Sequence, residues 1–322
     1  MKAAVLYTPG PAENLLLEER PTPEPGPGQV LVRVKAFGLN RSELMTRKGL
    51  SPSVQLPRVL GIECVGEVVL DPSGQYAPGQ QVAALMGGMG RDFDGSYADY
   101  SMLPKGLLHP IRSTLPWEML GALPEMFQTV DGSLRLALDV QPSETLLIRG
   151  GTSSIGMLAA QVAHRQGLTV VATTRNAQKQ AALLANGATH VVLDDGALRE
   201  HVRALFPQGV YKALELVGAG TLPDTLACVR PGGTVCMSGM LAENWSIPNF
   251  APMEVIPATV RLTIYDSGQV TSPTQALQAF IEAVEAGRIK VSVSRVFALA
   301  EIQQAHAFME SNQGAGKIVV LP

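Results

Sequence analysis

The chain has 322 residues, 46% of them hydrophobic and 16% charged, and a formal net charge of -3. Such a length suits two domains of ordinary size, and the lack of a basic surplus argues against a dedicated nucleic-acid binder, which must neutralise phosphates. No apolar run approaches the ~18 residues of a membrane helix, and the start Met1-Lys2-Ala3-Ala4-Val5-Leu6-Tyr7 meets Pro9 and Gly10 before a signal-peptide core develops. A soluble, cytoplasmic protein is expected. Cys64, Cys228 and Cys236 show no CxxC spacing and predict buried free thiols rather than a disulfide framework or zinc knuckle.

The first third is rich in Gly, Pro and β-branched residues. Gln29 to Ala36 alternates like a half-buried strand, and Gly61 to Val69 and Gln81 to Ala84 follow, which predicts a small β-rich domain. From about Thr129 short apolar strands alternate with Ala- and Leu-rich stretches: strands at Thr145 to Ile148, Thr169 to Ala172, His190 to Leu193, Lys212 to Leu216 and Thr234 to Ser238, helices at Ile155 to Gln166 and Gln178 to Ala185. This rhythm predicts an α/β fold, a doubly wound parallel sheet of the Rossmann type. Val260 to Tyr265 reads as an edge strand. A helix from Pro273 to Ala286, a strand Ser292 to Phe297, a helix Glu301 to Glu310 and a last strand Lys317 to Val320 close the chain.

The sharpest local signal is Leu146 to Gly156, an apolar strand that meets a small-residue turn and then an Ala-rich helix. Small residues let backbone approach a pyrophosphate, and the first-turn N–H groups with the helix dipole hold its charge. Gly151 and Gly156 take the outer glycine positions of G-x-G-x-x-G, Ser153 replaces the middle one, and Thr152, Ser153, Ser154 and Ile155 line the turn; the serines could add hydroxyl hydrogen bonds to phosphate. At the end of the next strand, where an NAD enzyme carries an acid for the ribose diol, stand Thr174 and Arg175, with Lys179 a turn later. A hydroxyl beside a guanidinium suits a 2′-phosphate, so the expected cofactor is NADPH. Leu216-Val217-Gly218 and Ser238-Gly239-Met240 follow later strands and add Val217, Gly218, Ser238, Gly239 and Met240 as cofactor contacts, with Gln128 and Thr129 at the entry to the domain.

Several ordered segments carry a family resemblance: Met1 to Val5, Pro25 to Val32, Phe37 to Glu43, Pro57 to Val68, Gly95 to Tyr100, Val229 to Val235 and Gly316 to Val320. Together they resemble the medium-chain dehydrogenase/reductase superfamily and, within it, the zinc-free quinone oxidoreductase branch. The resemblance implies a GroES-like β-rich catalytic domain from residues 1–121 and 272–322, a Rossmann NADPH-binding domain from 122–271, an active site in the cleft between them, and a homodimer. It also places the catalytic-metal ligands of zinc relatives at Asn40, Ile62 and Glu125, residues that do not make the N/S-rich set that zinc prefers, so no metal is expected.

Without a Lewis acid, an oxygen that gains charge as hydride arrives needs hydrogen-bond donors. Asn40 falls where the resembling enzymes place an asparagine near the nicotinamide and is the leading candidate, with Arg41 and Ser42 behind it; the alternative is that Asn40 is a turn residue bonded to local backbone. The expected function is hydride transfer from NADPH to a quinone or other α,β-unsaturated carbonyl compound. Enoyl-thioester or alkenal reduction is the near alternative. An NADPH-binding structural or RNA-associated protein is the alternative from another class, and a zinc alcohol dehydrogenase with substituted ligands is a third. Trp245 and Phe250 lie in a loop-like segment that suits either a roof over the substrate or a subunit contact.

Overall fold

The computed structural model describes residues 1–51, 53–311, 313–314 and 316–322. Contacts divide the chain into a terminal unit, Met1–Phe127 with Ser272–Pro322, and a central unit, Gln128–Thr271. The terminal unit begins with β1 (Lys2–Leu6), β2 (Leu15–Glu19), β3 (Gln29–Gly38), helix α1 (Arg41–Arg47), β4 (Arg58–Val59), β5 (Glu63–Leu70), β6 (Gln81–Leu85), β7 (Tyr100–Pro104) and β8 (Leu108–Pro110). Helices α2 (Trp117–Leu120) and α3 (Pro124–Asp131) follow, and α3 widens into a π turn at Gly132–Ala137.

The central unit then alternates: β9 (Thr145–Arg149), α4 (Ser154–Arg165), β10 (Thr169–Thr174), α5 (Gln180–Ala185), β11 (His190–Leu193), α6 (Leu198–Leu205), β12 (Val210–Glu215), α7 (Leu222–Cys228), β13 (Val229–Met237), α8 (Pro252–Val255) and β14 (Arg261–Ile264). Its six strands run in the order β11-β10-β9-β12-β13-β14, and every pairing is parallel. That is the Rossmann order, with its switch point beside β9. Strands covered on both faces must be apolar on both. Leu146, Leu147 and Ile148 of β9 and Val170, Val171 and Ala172 of β10 are accordingly all buried. Leu147 packs with Val171, Val192, Ala213 and Val235 in one cluster, where truncating such a leucine to alanine costs about 2–5 kcal/mol.

The chain returns to the terminal unit through α9 (Thr274–Glu285), β15 (Val293–Ala298), α10 (Ile302–Glu310) and β16 (Lys317–Leu321). The larger sheet there runs β15-β16-β3-β5-β6-β8, with β7 also on β3, and a small sheet holds β2-β1-β4. Its core includes Phe37 stacked on Tyr97 with ring centroids 4.8 Å apart.

The structure differs from the sequence reading in two instructive places. Residues 41–47, read only as an active-site segment, form a helix because Glu43 reaches back from its first turn to accept the Asn40 N–H at 3.1 Å. Strand β13 starts at Val229 rather than Thr234, since Arg230-Pro231-Gly232-Gly233 bulge out between the Val210–Val229 and Lys212–Thr234 pairs.

Candidate functional site

The cofactor turn is built by backbone. Gly150 holds φ +86°, a conformation that favours glycine, and carries the chain out of β9. A Cβ on Gly156 would stand 2.5 Å from the Gly150 carbonyl oxygen and one on Gly151 3.0 Å from the Thr173 carbonyl, so both glycines let α4 close on β9 and β10. Ser153 caps α4: its hydroxyl accepts the Gly156 N–H at 3.0 Å and donates to the Gly150 carbonyl at 2.8 Å. That hydroxyl is committed to the cap rather than turned toward a ligand. The N–H groups of Ser154 and Ile155 precede the helix's own bonds, and among the described residues no acceptor outside the helix takes them.

The neighbouring strand ends close around this turn. Gly150 N–H donates to Thr173 Oγ1 at 3.1 Å, and a Cβ on Gly150 would touch Leu216, Val217 and Leu241 at 3.1–3.5 Å. Buried Glu215 accepts the N–H groups of Val217 and Gly218 at 2.6 and 3.1 Å, and burial raises its carboxyl above the usual range. The Leu241 and Ala242 N–H groups bond back to the Leu216 and Val217 carbonyls, and Ser238 Oγ lies 2.7 Å from Ser133 Oγ. Arg149, buried at the end of β9, grips Asp194 with Nε and Nη2 at 2.9 and 2.7 Å, and Asp224 with Nη1 at 2.9 Å.

Gly151 to Gly156, Val217, Gly218, Ser238, Gly239 and Met240 thus gather at the carboxyl ends of the sheet. Thr174 ends β10, but its hydroxyl is bonded to the Asn176 backbone in both directions at 3.1 Å. Arg175 and Lys179 are exposed on the turn that follows. Gln128 and Thr129 lie on α3, and Gln128 Nε2 donates to the Ser267 carbonyl at 2.8 Å. A groove of about 540 Å³ lined by Leu138, Lys212, Thr234 and Arg261 sits at the opposite, amino ends of β12 to β14.

In the terminal unit Asn40 caps the start of α1 and sits in a ring of buried charge. Its Oδ1 accepts from Lys317 Nζ, its Nδ2 donates to Glu63 Oε1 at 2.9 Å, and Lys317 Nζ stands 2.8 Å from the same Glu63 oxygen. Glu63 and Lys317 are 0% and 4% exposed, so these contacts act at low dielectric. Glu43 accepts the Ile62 N–H at 3.2 Å, and burial pushes its carboxyl up to about 7 against the opposing pull of Lys317. The Glu125 N–H donates to the other Glu63 oxygen at 2.9 Å, so the positions expected to match zinc ligands, Asn40, Ile62 and Glu125, all meet the Glu43 and Glu63 carboxylates. Among the described residues no three His, Cys, Asp or Glu side chains form a metal-binding group. Ser42 accepts from Arg91 Nη2 at 2.6 Å, while Arg41 stands beside it at the start of α1.

Sequence reading missed Glu63, Lys317, Glu43 and Arg91. A lone lysine opening the apolar run Ile318-Val319-Val320 was the available signal for Lys317, because a buried charge demands a partner.

Residues 26–113 match the alcohol dehydrogenase GroES-like domain family, and residues 186–320 match the family described as zinc-binding dehydrogenase. The chain is 26% identical to a quinone oxidoreductase of Pseudomonas aeruginosa, over 93% of both proteins. It is also 26% identical to a 2-haloacrylate reductase of a Burkholderia species, over 99% of this chain and 98% of that one. A mycobacterial protein solved in complex with NADPH is 25% identical, covers both chains completely and superposes with a TM-score of 0.88. With a GroES-like segment, a dehydrogenase segment and full-length relatives along one chain, the protein belongs to the medium-chain dehydrogenase/reductase family, in its quinone oxidoreductase-like branch, and is an oxidoreductase.

Proposed function

We propose that the protein is an NADPH-dependent, zinc-independent reductase of quinones or other α,β-unsaturated carbonyl compounds. The observation that carries this is the end of β10, where exposed Arg175 and Lys179 stand and no acid follows the strand. Two cations at that place suit the 2′-phosphate of NADPH and leave a ribose diol without its carboxylate acceptor. The glycine cradle at Gly150, Gly151 and Gly156 and the first-turn N–H groups of Ser154 and Ile155 fit a pyrophosphate. When bound, NADPH supplies the hydride. Asn40 Nδ2 is the donor for the substrate oxygen that gains charge, a role in which one well-aimed hydrogen bond is worth roughly a hundredfold in rate. The zinc-independent reading rests on the residue types Asn40, Ile62 and Glu125.

The 2-haloacrylate reductase among the relatives favours acrylates and enoyl thioesters as a second substrate class, since these present the same conjugated electrophile. A homodimer paired through β14, one of the two edge strands of the central sheet, is part of the same proposal. The test is oxidation of NADPH and NADH by metal-analysed protein with quinones, enones, enoyl thioesters and aldehydes. Arg175→Ala is expected to weaken NADPH about tenfold or more and NADH little; equal loss would sink the 2′-phosphate assignment. Tight NADPH binding with no turnover, or salt-sensitive RNA binding, would favour the binding-protein alternative.

A further inference from the structure

We propose that Lys317 and Glu63 are positioning residues for Asn40, fixing which end of its carboxamide is oxygen and strengthening its remaining N–H as a donor. The inference rests on the reading of Asn40 as the donor to substrate. A carboxamide is nearly symmetric in shape, so a half-turn about its last bond exchanges donor and acceptor, and only its partners decide between the two states. Lys317 can only donate and ionised Glu63 can only accept. They stand 2.8 Å apart, and Asn40 closes the ring with Oδ1 on the ammonium and Nδ2 on the carboxylate at 2.9 Å. The flipped carboxamide would set NH2 against ammonium and carbonyl against carboxylate, two repulsions in place of two charge-assisted bonds.

The same ring tunes the donor. An ammonium bonded to Oδ1 draws electron density from the amide nitrogen, and such polarisation is stronger where solvent is absent. One Nδ2 hydrogen goes to Glu63. Among the described residues the other makes only the 3.4 Å approaches to the Gly38 carbonyl and Glu43 Oε1, long for an N–H bond, and is the hydrogen left for a ligand. Pairing Lys317 with Glu63 for stability alone would not require this arrangement, because buried ion pairs are seldom more stable than packed apolar residues.

The experiment combines kinetics with asparagine-selective 15N labelling, the Asn40 carboxamide signals being assigned by their loss in Asn40→Ala. Wild type is expected to show two widely separated carboxamide protons, and Lys317→Met to bring them together. Lys317→Met should lower kcat about 10- to 100-fold with KM changed less than about threefold, and Lys317→Arg should recover most of the loss. If Lys317→Met does not fold, Glu63→Gln, which removes the charge and keeps the shape, takes its place in both measurements. A folded variant with unchanged kcat or unchanged Asn40 signals overturns the proposal, as does a loss confined to KM. Asn40→Ala separates the two ideas: if it leaves kcat intact, the reading of Asn40 as donor fails and positioning falls with it. If Asn40→Ala is impaired and Lys317→Met is not, only the positioning is wrong. The NMR arm needs no substrate, so it decides the orientation even if no turnover is found.

Discussion

At the β9–α4 turn, Ser153 meets its partners three residues away on either side, whereas Asn40 is held by residues 23 and 277 positions distant. The turn is rigid because its glycines allow carbonyl and Cα atoms within a few ångströms, and it contains no titratable side chain from Gly150 to Gly156. The Asn40 site is rigid because opposite charges are buried together. A change at the turn should therefore act through shape and be indifferent to pH; a change at the ring should act through charge.

The largest lesion expected is Glu63→Leu, which strips an acceptor from Lys317, Asn40 and the Glu125 N–H and leaves a buried ammonium without its ion-pair partner. A loss of about 3–5 kcal/mol in urea unfolding is expected. A loss below ~1 kcal/mol would mean the ring is not held by charge. Next, Gly156→Val places a Cβ 2.5 Å from the Gly150 oxygen, a backbone atom that cannot swing aside. Destabilisation of about 1–3 kcal/mol is expected, with NADPH binding lost, both unchanged from pH 5 to 8.

The pH dependence of stability sharpens the contrast. Burial raises Glu43 from 4.5 to about 7, so the folded state holds its proton more tightly; this contribution is complete below pH 4.5 and disappears as pH rises through 7. Burial lowers His306 from 6.5 to about 3, so its contribution is complete above pH 6.5 and disappears as pH falls toward 3. The two slopes oppose one another between pH 4.5 and 6.5. Glu43→Gln should flatten the decline toward neutrality and His306→Gln the acid decline, each by at most about 1.4 kcal/mol per pH unit in chemical denaturation. If both variants keep the wild-type profile, the terminal unit's charges are more hydrated than its packing implies. The smallest effect is that of Ser153→Ala, which removes the cap of α4 at about 1 kcal/mol. A cofactor defect much larger than that would show that the hydroxyl does more than cap.

The same contrast explains what could be read from the sequence. Strand–helix alternation revealed the parallel sheet, because a strand covered on both faces leaves a continuous apolar run that needs no knowledge of its neighbours. Gly151 and Gly156 were legible for a similar reason, since a turn's conformational demands fall on its own residues. Ser153 looked like a flaw in the glycine motif and a source of hydroxyl contacts to phosphate; its hydroxyl caps the start of α4. Asn40 could be singled out, but not the ring around it. Lys317 and Glu63 are joined only by the placement of β16 beside β3 and of β3 beside β5, a matter of sheet order that no local pattern encodes. The helix at 41–47 escaped notice because its start depends on the Glu43 side chain folding back, and that carboxylate also serves Ile62 from another element.

The position of β16 in the sheet has a consequence for synthesis. Lys317 leaves the ribosome 277 residues after Asn40, at about 5–20 residues per second roughly 14–55 s later, and by then the whole central unit has been made. Throughout that interval the nascent terminal unit holds two carboxylates, Glu43 and Glu63, destined for burial without the cation that permits it. Its sheet also lacks the two strands that complete it beyond β3, β16 and then β15. The half of the protein that begins first is thus the half that must finish last.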